Sequence, residues 1–204
     1  MNYVVAKTAP GIISPHVLAL GRWFLAGLIL AFIARSELWQ ERQSTLNAWK
    51  QYGVLGTLGM LICGAWVYRG AQTTSAINIA LIYAASPVLI ALGAALWLGE
   101  SFRWQQAGGV ALALAGVVHV VVQGQWLSLA TVQWVAGDLW IVAAMVAWAA
   151  YALLQKRWFS PLGSTARLAA MSASGTLLLL PCAAWEQWQA ATPAWSWTAT
   201  RRAR

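Results

Sequence analysis

The chain alternates long apolar runs with short polar breaks. Six runs approach or reach the ~20 residues an α-helix needs to cross a bilayer core: residues 17–34, 51–68, 76–98, 105–122, 134–154 and 166–185. A seventh, residues 3–13, has about half that length. The runs are continuously apolar rather than alternating, which predicts helices and not barrel strands. The breaks carry turn chemistry: Pro10-Gly11, Ser14-Pro15 and Ser160-Pro161, with further short connections at 70–75, 99–103 and 124–133. Only residues 35–50 form a longer loop, long enough for a short interfacial helix.

One segment occurs twice. Asn2-Tyr3-Val4-Val5-Ala6-Lys7, then Ser14-Pro15, then Arg22 is followed far downstream by Tyr151-Ala152-Leu153-Leu154-Gln155-Lys156, then Ser160-Pro161, then Arg167. The Lys, Ser-Pro and Arg landmarks recur in order, roughly 145–150 residues apart. Internal repeats of this kind are a sequence mark of transporters.

Charge gives the spans a direction. The connections after the second, fourth and sixth spans hold Arg35, Arg42, Lys50, Arg103, Lys156 and Arg157, with Arg167 close by; the opposite side has Lys7 and Arg69. The positive-inside trend makes the first set cytoplasmic. The first and sixth spans then cross in opposite directions, so the repeat is inverted. Arg201, Arg202 and Arg204 would fall on the outer side, against that trend. The tail 186–204, with the Trp-rich stretch 193–197, is therefore expected to be irregular, the mark of a fragment or a broken frame.

Composition agrees. The chain is 60% hydrophobic and 9% charged, against about 25% charged in a soluble domain. The net charge of +8 comes from loop cations and is not a nucleic-acid footprint. Cys63 and Cys182 lie far apart inside apolar runs and offer no metal or redox spacing. Trp39, Trp49, Trp104, Trp126, Trp134, Trp158, Trp185 and Trp188 lie near span ends, as an interfacial belt requires.

No catalytic constellation is present. His16 and His119 are far apart, and Glu37, Glu41, Glu100, Asp138 and Glu186 all lie near span ends or in loops. No intramembrane acid is placed as an obvious proton-coupling group. The chain reads as a non-enzyme with no cofactor and no metal. Arg22 has two readings, a side chain snorkelling to the interface or an anion contact. Glu100 is expected to cap its helix or pair locally, for example with Arg103. Ladders of small residues, Ala107-Ala111-Ala115, Gly109-Ala113 and Gly53-Gly56-Gly59, are expected to be packing faces. The fourth span is the best site candidate: Pro87 removes a backbone hydrogen bond and can kink the helix, and Asn78, Tyr83 and Ser86 bring polar groups beside it. A structural kink is the alternative. Trp66 and Trp148 are either cavity walls or lipid-facing.

At this segment the chain resembles the EamA family of the drug/metabolite transporter superfamily. The resemblance is carried by Ala71-Gln72-Thr73-Thr74-Ser75-Ala76, Ala80-Leu81-Ile82 with Ser86-Pro87, Leu98-Gly99-Glu100, Ala115-Gly116-Val117, and the two copies Asn2 to Lys7 and Trp148 to Lys156. It implies an all-α integral membrane protein built of inverted five-helix repeats, moving small metabolites or drug-like solutes through a central cavity by alternating access, as exporter or exchanger. On that pattern residues 1–124 are the first repeat with a partial first helix, and 134–185 are the first two helices of a second repeat that is incomplete. The expected pathway residues are Trp66, Asn78, Tyr83, Ser86, Trp148 and Tyr151. The expected setting is multi-pass in the inner (plasma) membrane. The expected partners are the lipid bilayer and a small-molecule substrate, with no nucleic acid and a homodimer left open. The alternative is a truncated transporter or membrane scaffold without transport activity.

Overall fold

The computed structural model describes residues 14–101, 103–121, 125–127 and 134–189. The expected half-span at 3–13, the 124–133 connection apart from residues 125–127, and the tail beyond residue 189 lie outside the described residues.

Within them the chain is helical, with no strand. Helix α1 spans Pro15–Ile33 and opens on proline, whose missing N–H costs nothing in a first turn. Residues 35–50 form two short helices rather than one, α2 (Arg35–Gln40) and α3 (Arg42–Asn47). Helix α4 spans Trp49–Ala71 and contains a ten-residue π-helical stretch, Thr57–Trp66. Helix α5 spans Ala76–Leu98, with a turn at Ala85 just before Ser86 and Pro87. It ends on Gly99, whose φ of 69° is left-handed and suits glycine. Helix α6 is Trp104–Val121, α7 Ala136–Arg157 and α8 Ser164–Gln189. Five of these, α1, α4, α5, α7 and α8, are long and apolar enough to cross a membrane.

Side-chain contacts fix the directions. His16 lies beside Glu186 and Gly27 beside Ser172, so α1 and α8 run antiparallel. They pack along much of their length. Gly70 meets Ile141, Cys63 meets Ala144 and Gly59 meets Tyr151, so α4 and α7 are also antiparallel. Asn78 meets Asp138 and Gly93 meets Leu153, so α5 and α7 are parallel.

The core lies where α4 is enclosed by α1, α7 and α8. Leu55, Met60, Ala65, Ile79, Ile141, Ala144, Met171 and Leu179 are buried there. Without a hydrophobic force between helices in lipid, close approach of small residues supplies the packing. A Cβ on Gly56 would come within 2.6 Å of the Gly175 nitrogen, and one on Gly175 within 2.5 Å of Met60 Cβ. Gly59 takes the Tyr151 ring. Gly53, expected on the same face, has open space around it.

Helix α6 corrects the small-residue ladders. Ala111, Ala115, Gly109 and Ala113 are exposed, and the half-buried positions are Ala107, Val110, Leu114 and Val118. Spacings of three and four select the face that meets the first half of α5. Val110, Leu114 and Val118 join Ala107 on that face, while the other ladder positions stay exposed.

The charged ends segregate as the loop charges require. Tyr52 Oη bonds Ser160 Oγ at 3.0 Å, the Gly163 N–H donates to Glu37, and Arg157 lies over the Trp97 ring, 5.2 Å from its centroid. Arg35, Arg42, Lys50, Lys156, Arg157 and Arg167 therefore share one end of the bundle. The Arg167 guanidinium donates to the carbonyls of Gln155 and Trp158 at 3.0 and 2.9 Å. A cation there satisfies carbonyls that the end of α7 leaves unpaired.

Candidate functional site between α5 and α7

The two faces of α7 do different things. Ile141, Ala144 and Tyr151, at spacings of three and seven, pack toward α4. Asp138, Val142, Met145, Leu153 and Lys156 face α5. Between α5 and α7 lies a cavity of about 380 Å³ lined by Asn78, Leu81, Ile82, Ala85, Trp134, Val142 and Met145. It sits beside the turn at Ala85, where the α-helical pattern of α5 is interrupted.

A buried polar network lies beside the cavity, at the N-terminal end of both helices. Asp138 is 2% exposed. Its Oδ2 accepts from Asn78 Nδ2 at 2.9 Å and from the Val135 N–H at 2.8 Å. Its Oδ1 accepts from Asn78 Nδ2 at 3.1 Å and from the Thr74 hydroxyl. Ser75 Oγ accepts the Asn78 N–H at 3.0 Å and lies 2.8 Å from Asn78 Oδ1, capping α5 while it orients the amide. A carboxylate this deeply buried is stable only when its lone pairs are met, and here both oxygens are. Glycines allow the approach: a Cβ on Gly137 would strike Thr73 and lie 2.6 Å from the Gly70 carbonyl.

At the other end of the same pair, Glu100 pairs with Lys156. This replaces the expected local partner Arg103. Parallel helices bring their C-termini together, and the left-handed turn at Gly99 directs Glu100 toward α7 rather than along α6.

The expected pathway residues are divided by α7. Asn78 lines the cavity. Ser86 is buried on α5 and Tyr83 is half-buried against the core. Trp66 packs edge-on against Trp140 with ring centroids 5.2 Å apart, and Trp148 stacks on Tyr151 at 5.5 Å. Those aromatic pairs lie with α4, away from the cavity walls. Arg22 is half-buried. Its Nη1 donates to Tyr68 Oη at 3.0 Å, and the guanidinium lies over the Trp23 ring, 4.8 Å from the centroid. It works as a joint between α1 and α4.

Thr74 and Asp138 escaped the sequence reading. Asp138 stands in the first turn of its helix, where an acid is ordinary. Only its Val135 bond was open to sequence inspection, as an acid three residues past a helix start. Its bonds to Thr74 and Asn78 join residues more than sixty positions apart and exist only in the packed state.

A second, largely apolar groove of about 650 Å³ runs between α1 and α8, lined by Phe24, Gly27, Leu28, Thr176, Leu177 and their neighbours. Phe24, Leu25, Leu28 and Ile29 on that side of the molecule are exposed, as lipid-facing residues are.

A bundle of antiparallel and parallel apolar helices, with a cavity between two of them and cations at one end, defines a multi-span integral membrane protein. Its family follows from comparison with known proteins: residues 1–122 match the EamA-like transporter family, and the chain belongs to it. It is also 32% identical over 168 residues to an uncharacterized transporter, YyaM, of Bacillus subtilis (strain 168). That match covers 80% of this chain and 55% of the relative, so the chain spans little more than half of the relative's length. No solved structure matches the chain.

Proposed function

We propose that the protein moves a small metabolite or drug-like solute across the plasma membrane, as exporter or exchanger, by alternating access between α5 and α7. The observation that carries this reading is the cavity of about 380 Å³ between the fourth span and the first helix of the second repeat. Transporter sites of this type lie at repeat interfaces near interrupted helices. The walls are apolar apart from Asn78, which favours a substrate with a substantial apolar part and few polar groups.

The inverted repeat has support in the packing. Gly27 stands five residues after Arg22, and Ser172 five residues after Arg167. A Cβ on Gly27 would lie 3.3 Å from Ser172 Cβ. Equivalent positions of two antiparallel helices meeting at their crossing is what a two-fold axis in the membrane plane produces. Family membership and a relative named as a transporter support the transport reading itself.

The test is flux from proteoliposomes loaded with a broad metabolite panel, compared with empty vesicles. Substrate-specific flux lost on Met145→Trp, which fills the cavity, is the expected result. No flux above empty vesicles for any compound would sink the proposal.

A further inference from the structure

We propose that the two ends of the α5–α7 pair are the gates of this pathway: Thr74–Asn78–Asp138 at the outer end and Glu100–Lys156 at the inner end. This rests on the transport reading above, and deepens it by naming the groups that must part.

The geometry has three elements. Each latch joins α5, or the corner leading into it, to α7, which the repeat assigns to opposite halves of the protein. The cavity lies between them, directly below Asn78. Along the pair, Gly93 meets Leu153 closely enough that an added Cβ would strike the leucine's terminal methyl. A glycine against a flexible side-chain end leaves a contact about which the helices can tilt. With both latches formed, α5 and α7 are held together on either side of the cavity.

The latches differ in chemistry, and the difference has consequences. The outer one is buried and holds one carboxylate with uncharged donors: the Thr74 hydroxyl, the Asn78 amide and the Val135 N–H. Salt does not reach it. The inner one joins two exposed, oppositely charged side chains, 58% and 42% exposed. Such a pair is weak and is screened by ions. The inner gate therefore opens more readily, and opens further as salt rises. The outer gate opens only when its hydrogen bonds are broken together.

Sided thiol labelling tests this without a known substrate. In a Cys63→Ala/Cys182→Ala background, Met145→Cys places one thiol in the cavity wall. A membrane-impermeant sulfonated maleimide is added to right-side-out and to inside-out vesicles. Thr74→Val or Asp138→Asn should raise the labelling rate from outside about tenfold, the change expected for losing a hydrogen bond to a charged acceptor. Labelling from inside should stay as it was. Glu100→Gln or Lys156→Gln should raise labelling from inside about two- to threefold, and about 1 M salt should do the same to the parent with both latches intact. Thr74→Val removes one hydroxyl only, so it carries the outer arm if Asp138→Asn fails to assemble. Equal changes on both sides, reversed sides, or no change in any variant would overturn the assignment. Sided labelling without flux for any solute would leave the gates standing and defeat transport. Flux without sided labelling would do the reverse.

Discussion

Gly56→Ala should weaken the bundle at the α4–α8 crossing. The added methyl would sit 2.5 Å from Ser174 Oγ, 2.6 Å from the Gly175 nitrogen and 3.0 Å from Gly175 Cα. Ser174 cannot turn away freely, because its hydroxyl donates to the Tyr52 carbonyl at 2.7 Å. The other two neighbours are backbone, so relief requires the helices to separate by about 1 Å, which a close-packed interior resists. Overpacking of this kind costs about 1–3 kcal/mol, and backbone neighbours put it near the upper value. Alanine's better helix propensity returns up to about 1 kcal/mol. The net loss is about 2 kcal/mol, roughly a thirtyfold fall in the folding equilibrium constant. The assay is unfolding in mixed detergent micelles of rising SDS fraction, followed by tryptophan fluorescence. Gly108→Ala is the control, since a Cβ there meets open space; it should be neutral or slightly stabilising. Gly175→Ala should act like Gly56→Ala, and the double substitution should cost less than the two single effects added, because one separation relieves both. If Gly56→Ala and Gly108→Ala unfold at the same SDS fraction, the close crossing is wrong.

Further expectations follow from other contacts. Asp138→Ala should cost about 2–4 kcal/mol in the same assay, because it strands buried donors from Thr74, Asn78 and Val135 together; a loss below ~0.5 kcal/mol would contradict the network. Glu100→Gln should shift stability by no more than about 1 kcal/mol, since the Lys156 pair is exposed, and a larger loss would mean that the pair is shielded from solvent. Gly93→Ala should cost no more than about 1 kcal/mol, because the added methyl meets only the movable end of Leu153 and alanine's helix propensity offsets part of the overpacking; a loss above ~2 kcal/mol would show that Leu153 cannot yield. His16→Ala should loosen the start of α1 only slightly, because the His16 backbone N–H still donates to Glu186 at 3.0 Å. Loss of more than ~1 kcal/mol would show that the imidazole, 3.1 Å from the same carboxylate, contributes more than an ordinary exposed pair.

Much of the architecture was legible from local properties. The apolar runs at 17–34, 51–68, 76–98 and 166–185 appear as α1, α4, α5 and α8 with ends close to those expected, because a span's length is set by the bilayer and by unpaired backbone groups. The turn before Ser86-Pro87 follows from the ring's steric demands. The belt tryptophans are largely exposed at span ends, Trp39 at 70% and Trp104 at 81% among them. The π-helical stretch in α4 was not legible: nothing local in Thr57–Trp66 separates a π-helix from an α-helix.

The sequence by itself determined the spans, their alternating directions, the shared end for the cations and the repeated landmarks, since each depends on one segment's affinity for lipid or water. Which face of each helix meets which neighbour was decided by tertiary structure. Asp138 shows the difference: alone it is an acid in a first turn, and in the bundle it is a buried acceptor joining two halves of the chain. Glu100 passed over Arg103 for Lys156 for the same reason, and α7 separated Asn78 from Trp66, Trp148 and Tyr151. Hydropathy is a property of a segment, whereas hydrogen-bond partners and cavities arise between segments, so they appear only when the helices pack.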